Sequence, residues 1–111
     1  MNPDELPEVG MEYWREGPVC LAFNLAPFRD VWQCHLGAQR THLGKLDAPT
    51  KSILVDFWSH HQPARIMGWV SSNNRAALAF AKRVGFVEDG KAPLPGESIV
   101  YLGWDASWAA L

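Results

Sequence analysis

The sequence predicts one α/β (α+β) domain: a mixed, mainly antiparallel sheet with helices on both faces, in the order β-β-β-α-β-α-β-β. Three observations carry this. The first third of the chain is a series of short apolar runs broken by turn residues, the signature of an antiparallel meander. Two later segments repeat apolar residues at helical spacing. Between them, Ala64 to Val70 is apolar at nearly every position except Arg65, as expected of a strand covered on both faces.

In chain order, residues 1–10 read as an N-terminal arm and residues 11–111 as a single domain. Met11 to Arg15 is the first expected strand, with Glu16-Gly17-Pro18 as its turn. Val19 to Leu25 is the second, ended by Ala26-Pro27. Asp30 to Gly37 is the third, placing Trp32, Cys34 and Leu36 on one face and Val31, Gln33 and His35 on the other. Ala38 to Leu46 is polar and basic and reads as a loop. Asp47-Ala48-Pro49 resembles a helix start, a capping carboxylate with proline in the first turn. Ile53, Leu54, Phe57 and Trp58 continue it at helical spacing, and His60-His61-Gln62-Pro63 stops it.

The second helix has the clearest punctuation. Ser72, Asn73 and Asn74 offer N-caps, and Ala77, Phe80, Ala81 and Val84 form the stripe expected to be buried. Gly85 supplies a left-handed terminal residue and Phe86 folds back on the last turn. A strand starts at Phe86 to Glu88, Asp89 to Gly96 reads as a Gly/Pro loop, and Glu97 to Trp104 closes the sheet.

Composition narrows the function. The chain has 111 residues, 10 Lys+Arg against 12 Asp+Glu, and a formal net charge of −2. That balance gives no general pull toward nucleic acid or anionic membrane. No apolar run approaches the roughly 20 residues of a membrane helix. The acidic, proline-broken start lacks the features of a signal peptide, so the cytoplasm is the expected location. With two cysteines, Cys20 and Cys34, a disulfide framework has too few partners, and buried reduced thiols are expected. Each of the six tryptophans, Trp14, Trp32, Trp58, Trp69, Trp104 and Trp108, is expected to pack in the core of a short chain.

Among chemically capable groups, His35 lies on the third strand and has the near-neutral titration of a general base. Glu12, Glu16 and Glu97 are alternative bases that spacing does not separate. His42, His60 and His61 lack the carboxylate cluster that would complete a metal site, and no metal is expected. Two helix starts, at residues 47–51 and 72–76, are potential anion-binding corners. Arg40 and Lys45 stand beside the first.

The run Asn74-Arg75-Ala76-Ala77-Leu78-Ala79-Phe80-Ala81-Lys82-Arg83-Val84-Gly85-Phe86, followed by Glu88-Asp89-Gly90, resembles a helix–strand signature of the GCN5-related N-acetyltransferases (GNAT). The likeness spans roughly residues 19 to 104. It extends to the small phage-type members of that superfamily, whose fourth strand carries a histidine where Gln33-Cys34-His35 stands. The resemblance implies a GNAT-like sheet truncated at the N-terminus, an acyl-CoA donor (acetyl-CoA) and an amine acceptor. It implies that two neighbouring strands diverge just after His35 to admit the donor. The backbone of His35, Leu36, Gly37 and Ala38 would then hold pantetheine. Arg40, Thr41, His42, Leu43, Gly44 and Lys45 would surround the pyrophosphate, and Asn74 would bond the donor arm or thioester region. His35 would act as catalytic base while an amide donor polarises the oxyanion.

The sequence departs from the family pattern at three places. Leu43 and Lys45 stand where the phosphate loop has small residues, Ala81 stands where many members have a tyrosine, and little sequence precedes the first strand. These departures favour an alternative: a catalytically inactive, phage-related copy of the fold serving in assembly or protein interaction, with a homodimer among its expected partners.

Overall fold

The structure, a computed structural model, describes residues 11–27, 30–38 and 46–105. The expected arm, residues 39–45 and Trp108 lie outside this set. Six strands and two helices follow the expected order: β1 (Glu12–Glu16), β2 (Val19–Leu25), β3 (Val31–Ala38), α1 (Asp47–His61), β4 (Arg65–Ser71), α2 (Arg75–Arg83), β5 (Val87–Leu94) and β6 (Glu97–Trp104). They form one sheet in the order β1-β2-β3-β4-β6-β5. Every neighbouring pair is antiparallel except β3 and β4, which run parallel because α1 carries the chain back to the same end of the sheet.

Side-chain alternation divides the sheet into two unlike faces. On one face Val19, Leu21, Phe23, Ile66 and Trp104 meet Ile53, Leu54 and Phe57 of α1 and Val84 just beyond α2 in one buried cluster. Phe23 and Phe57 stack at 3.7 Å between ring centroids, and Trp58 meets Trp104 edge-on at 5.5 Å. Burying a Phe or Leu side chain contributes about 1.5–3 kcal/mol, so this cluster is the main source of cohesion. The expectation of helices on both faces is thereby corrected. Both helices pack on one face, and no helix among the described residues covers the other. Tyr13, Trp69, Val87, Leu94 and Tyr101 are exposed there or at its margins.

This asymmetry also revises the readings of single elements. β4 is covered on one side, and Trp69 is 47% exposed. Trp104 fits the core expectation, fully buried with its indole Nε1 donating to the Val84 carbonyl at 2.9 Å. Trp14, Trp32 and Trp58 are half-buried against the same cluster. The Gly/Pro stretch expected to loop from Asp89 is mostly strand, paired with β6 from Val87 to Leu94 with a bulge between Glu88 and Gly90. Edge position makes this possible: Pro93 needs to donate to no outer neighbour. Gly103 is demanded by tertiary packing, since a Cβ there would collide with the Arg65 guanidinium, which reaches Asp89 at 3.0 Å.

The helix ends separate local from tertiary causes. α2 is capped as expected: Asn74 Oδ1 accepts the Ala77 N–H at 3.1 Å. Its far end closes with Phe86 N–H donating to Ala81 O and Gly85 N–H to Lys82 O, with Gly85 at φ 109°, a Schellman stop. At α1 the capping position falls on Leu46, which makes no side-chain cap. Asp47 instead lies in the first turn, where its carboxylate receives Arg83 Nε at 2.9 Å and Nη2 at 3.4 Å. A distant partner has drawn the side chain away from its own helix. Both charges suit the helix ends they occupy.

Edge strand β1 is fastened to α1 by polar contacts. Glu12 Oε1 accepts from Trp14 Nε1 and from His61 Nε2, both at 2.7 Å, and Ser52 Oγ donates to Glu16 Oε1 at 2.8 Å. Burial works to raise the Glu12 carboxyl, but the hydrogen bonds from His61 and Trp14 and the charges of His61 and His60 outweigh it. The net position is below the ordinary 4.5. A depressed carboxylate stabilises the fold above its unfolded value, and that contribution disappears as pH falls through the folded value. Glu12→Gln is therefore expected to lower stability at neutral pH and to flatten its loss on acidification, measured by urea unfolding across that range.

Candidate functional site

The site begins with an interrupted pairing. β3 and β4 are in register only at Val31↔Arg65, Trp32↔Ile66 and Gln33↔Met67. Beyond that point β3 stays with β2 as far as Ala38, and β4 stays with β6 as far as Ser71. Residues 34–38 and 68–71 therefore face one another across a split with no strand pairing. The split was expected just after His35. It opens after Gln33, because the register supplies only three parallel pairs, so His35 lies inside the diverged stretch.

On the helix side the split is a slot of about 140 Å³, bounded by Cys34, Gly68, Val70, Thr50, Phe80 and Ala81 with several other apolar residues. That volume is close to the roughly 150 Å³ of a cavity that accepts benzene. It takes the width of one extended chain, while a nucleotide must remain outside. Gly68 keeps it open: a Cβ there would lie 3.8 Å from the Cys34 carbonyl and 3.9 Å from Phe86 Cε1, so anything longer enters the slot. The α2 stripe expected to be buried is half-buried at Ala77, Phe80 and Ala81 because it forms one wall. The Asp47–Arg83 pair joins the first turn of α1 to the last turn of α2. It is half-exposed at both partners, so its role is to hold the walls together more than to add stability.

The titratable groups sort by face. His35 stands on the helix-free side, its Nε2 3.0 Å from Asn24 Oδ1. Asn24 Nδ2 is engaged by Gln33 Oε1 at 3.1 Å and Leu25 O at 3.3 Å, which fixes the amide with its oxygen toward the imidazole. Nε2 therefore carries the proton and donates, and in the neutral ring Nδ1 carries the lone pair. Burial lowers the His35 pKa from 6.5 and favours that neutral form. Trp69 meets the ring edge-on at 6.1 Å. Cys34, on the slot side, has its thiol pushed up to about 12 by burial, so it remains protonated and a poor nucleophile.

The other sequence candidates are dispersed. Asn74 sits at the N-cap of α2 with its carbonyl oxygen committed to Ala77. Glu12 and Glu16 are held by His61 and Ser52, and Glu97 starts β6. Leu36, Gly37 and Ala38 complete β3 beside the split. Arg40, Thr41, His42, Leu43, Gly44 and Lys45 lie outside the described residues. Among the described residues no three His, Cys, Asp or Glu side chains gather as a metal site, and no helix is long and apolar enough to cross a membrane. Thr50 and Gly68 were missed from sequence. A threonine in a helix and a glycine in a strand carry no local mark of a shared cavity.

A parallel pair that splits above a crossover helix, walled by a second helix with an Asn cap and a glycine stop, defines the GNAT acetyltransferase fold class. Solved structures agree. A spermidine N-acetyltransferase mutant from Vibrio cholerae superposes with a TM-score of 0.67 at 16% identity, over 82% of this chain and 59% of that one. A ribosomal-protein-S5-alanine acetyltransferase from Vibrio fischeri gives 0.66 at 14% identity, over 81% and 55%. A GNAT-family acetyltransferase from Bacillus anthracis gives 0.65 at 12%, over 77% and 56%. The chain thus spans less than two thirds of the length of these proteins. No family model matches the sequence, and no curated protein does. What the chain shares with its neighbours is the fold.

Because Asn74 caps α2, Asn74→Ala is expected to cost about 1 kcal/mol of stability without any ligand. Asn74→Asp, which keeps the capping oxygen, is expected to retain it, and chemical denaturation of both variants checks this.

Proposed function

We propose that this chain is an acyl-CoA-dependent N-acyltransferase, moving acetyl from acetyl-CoA to an amine. The observation that carries the reading is the split after Gln33↔Met67 with its narrow, mostly apolar slot. Such a slot accepts a thin acyl-bearing arm and excludes a bulky head. The donor supplies an activated acetyl carbonyl. The residues at the mouth supply the rest: unpaired strand edges that can bond an extended arm, and the α2 N-cap, where the Asn74 amide N–H₂ is available to the arm or the carbonyl oxygen. On the far side of the sheet, His35 Nδ1 accepts the proton released as the amine attacks and the thiolate departs. Protonated Cys34 favours direct attack over a cysteinyl intermediate. The arrangement suits cytoplasmic work, where the donor is found.

A second reading, an interaction module without catalysis, is favoured by the exposed Trp69, Tyr101, Val87 and Leu94. Sedimentation velocity separates the two, since a strict monomer that binds acetyl-CoA supports the enzyme.

Acetyl-CoA at a hundredfold excess over its Kd is expected to stabilise the protein by about 2.7 kcal/mol in thermal unfolding. Gly68→Leu, which fills the slot, is expected to abolish that shift while the protein still folds. Absence of a shift in the unmodified protein removes the enzyme reading. If His35 is the base, kcat/KM rises with pH through an inflection below 6.5, the ordinary imidazole value, and His35→Gln removes that limb.

A further inference from the structure

The slot contains one polar side-chain atom with no protein partner. Thr50 lies in α1, is 2% exposed and lines the cavity, and its Oγ1 makes no hydrogen bond. A helical threonine normally satisfies its hydroxyl on the carbonyl four residues back. Here that carbonyl, Leu46 O, receives the Thr50 N–H at 3.1 Å, and the hydroxyl does not use it. Leaving a buried hydroxyl unpaired costs free energy comparable to a lost hydrogen bond. Valine has the same shape and carries no such cost, so packing by itself gives the hydroxyl no role. The walls around it, including Leu21, Val84, Phe86 and Leu102, are apolar. A group that enters beside Thr50 therefore finds one side-chain hydroxyl at a fixed depth.

We propose that Thr50 Oγ1 is a donor-binding group that hydrogen-bonds an amide of the extended arm occupying the slot, and so sets how deep the arm runs. This rests on the acyl-donor reading. The chemistry follows from the site: a chain thin enough for about 140 Å³, apolar along most of its length, with one amide where the hydroxyl sits. A hydroxyl both donates and accepts, so it can serve either end of that amide. The residue acts by binding and registering the arm. Its distance from the imidazole-bearing face keeps it out of proton transfer.

The test is calorimetric titration of acetyl-CoA into the full chain and into Thr50→Val and Thr50→Ser, with unfolding of each protein alone. Thr50→Val is expected to weaken binding roughly threefold to tenfold, the range for one neutral hydrogen bond. The free protein should remain as stable or become more so. Thr50→Ser, which keeps the hydroxyl, should bind like the unmodified chain. If Thr50→Val binds acetyl-CoA as tightly as the unmodified chain, or loses stability alone without losing affinity, the assignment is overturned and the acyl-donor reading stands. If the unmodified chain takes up no acetyl-CoA, the acyl-donor reading itself has failed and the assignment falls with it.

Discussion

Strand β3 must satisfy two neighbours and does so unequally. Its antiparallel ladder with β2 runs its whole length, whereas its parallel ladder with β4 ends after three pairs. Because β4 is likewise anchored along its outer side by β6, the inner edges can part without loosening either half of the sheet. The hydrogen bonds forgone are worth about 0.5–1.5 kcal/mol each. They are offset by the apolar side chains that both helices bury on the same face. The slot, the wall of α2 and the exposed position of His35 all depend on this unequal pairing.

The sheet thereby separates two chemical environments. On the helix side the groups are apolar or uncharged: Cys34 keeps its proton and Thr50 offers a hydroxyl. On the opposite side Gln33, Asn24 and His35 form a polar chain that fixes the imidazole tautomer, next to an exposed indole. A donor and an acceptor approaching from opposite sides would meet at the split. The Asp47–Arg83 pair shows how little energy is needed to maintain such an arrangement, since a half-exposed ion pair mainly selects one geometry.

Legibility in the sequence followed the range of the interaction. The α2 cap and stop were readable because Asn74 to Ala77 and Ala81 to Phe86 are local contacts made by residue types suited to them. The face assignment of Trp32, Cys34 and His35 was readable from the period of a strand. β5 was not, because Gly90 and Pro93 signal a turn unless a partner strand is already present. The Asp47 cap misled for the same reason, as Arg83 competes for the carboxylate from 36 residues away. The family resemblance led to the idea of a split, but its register, and Thr50 and Gly68 as parts of it, required the superposition of separate elements.

Taken alone, the sequence determined the element order, the boundaries of α2, the alternation that gives each strand an inner face and the placement of His35 on one of them. These are consequences of backbone geometry and short-range side-chain contacts. Tertiary structure alone decided that both helices share a face, that β3 and β4 part after Gln33, and that the hydroxyl of Thr50 ends in an apolar slot without a partner. Each of those outcomes depends on how distant segments compete for the same edge or the same buried space, and that competition leaves no periodic trace in the chain.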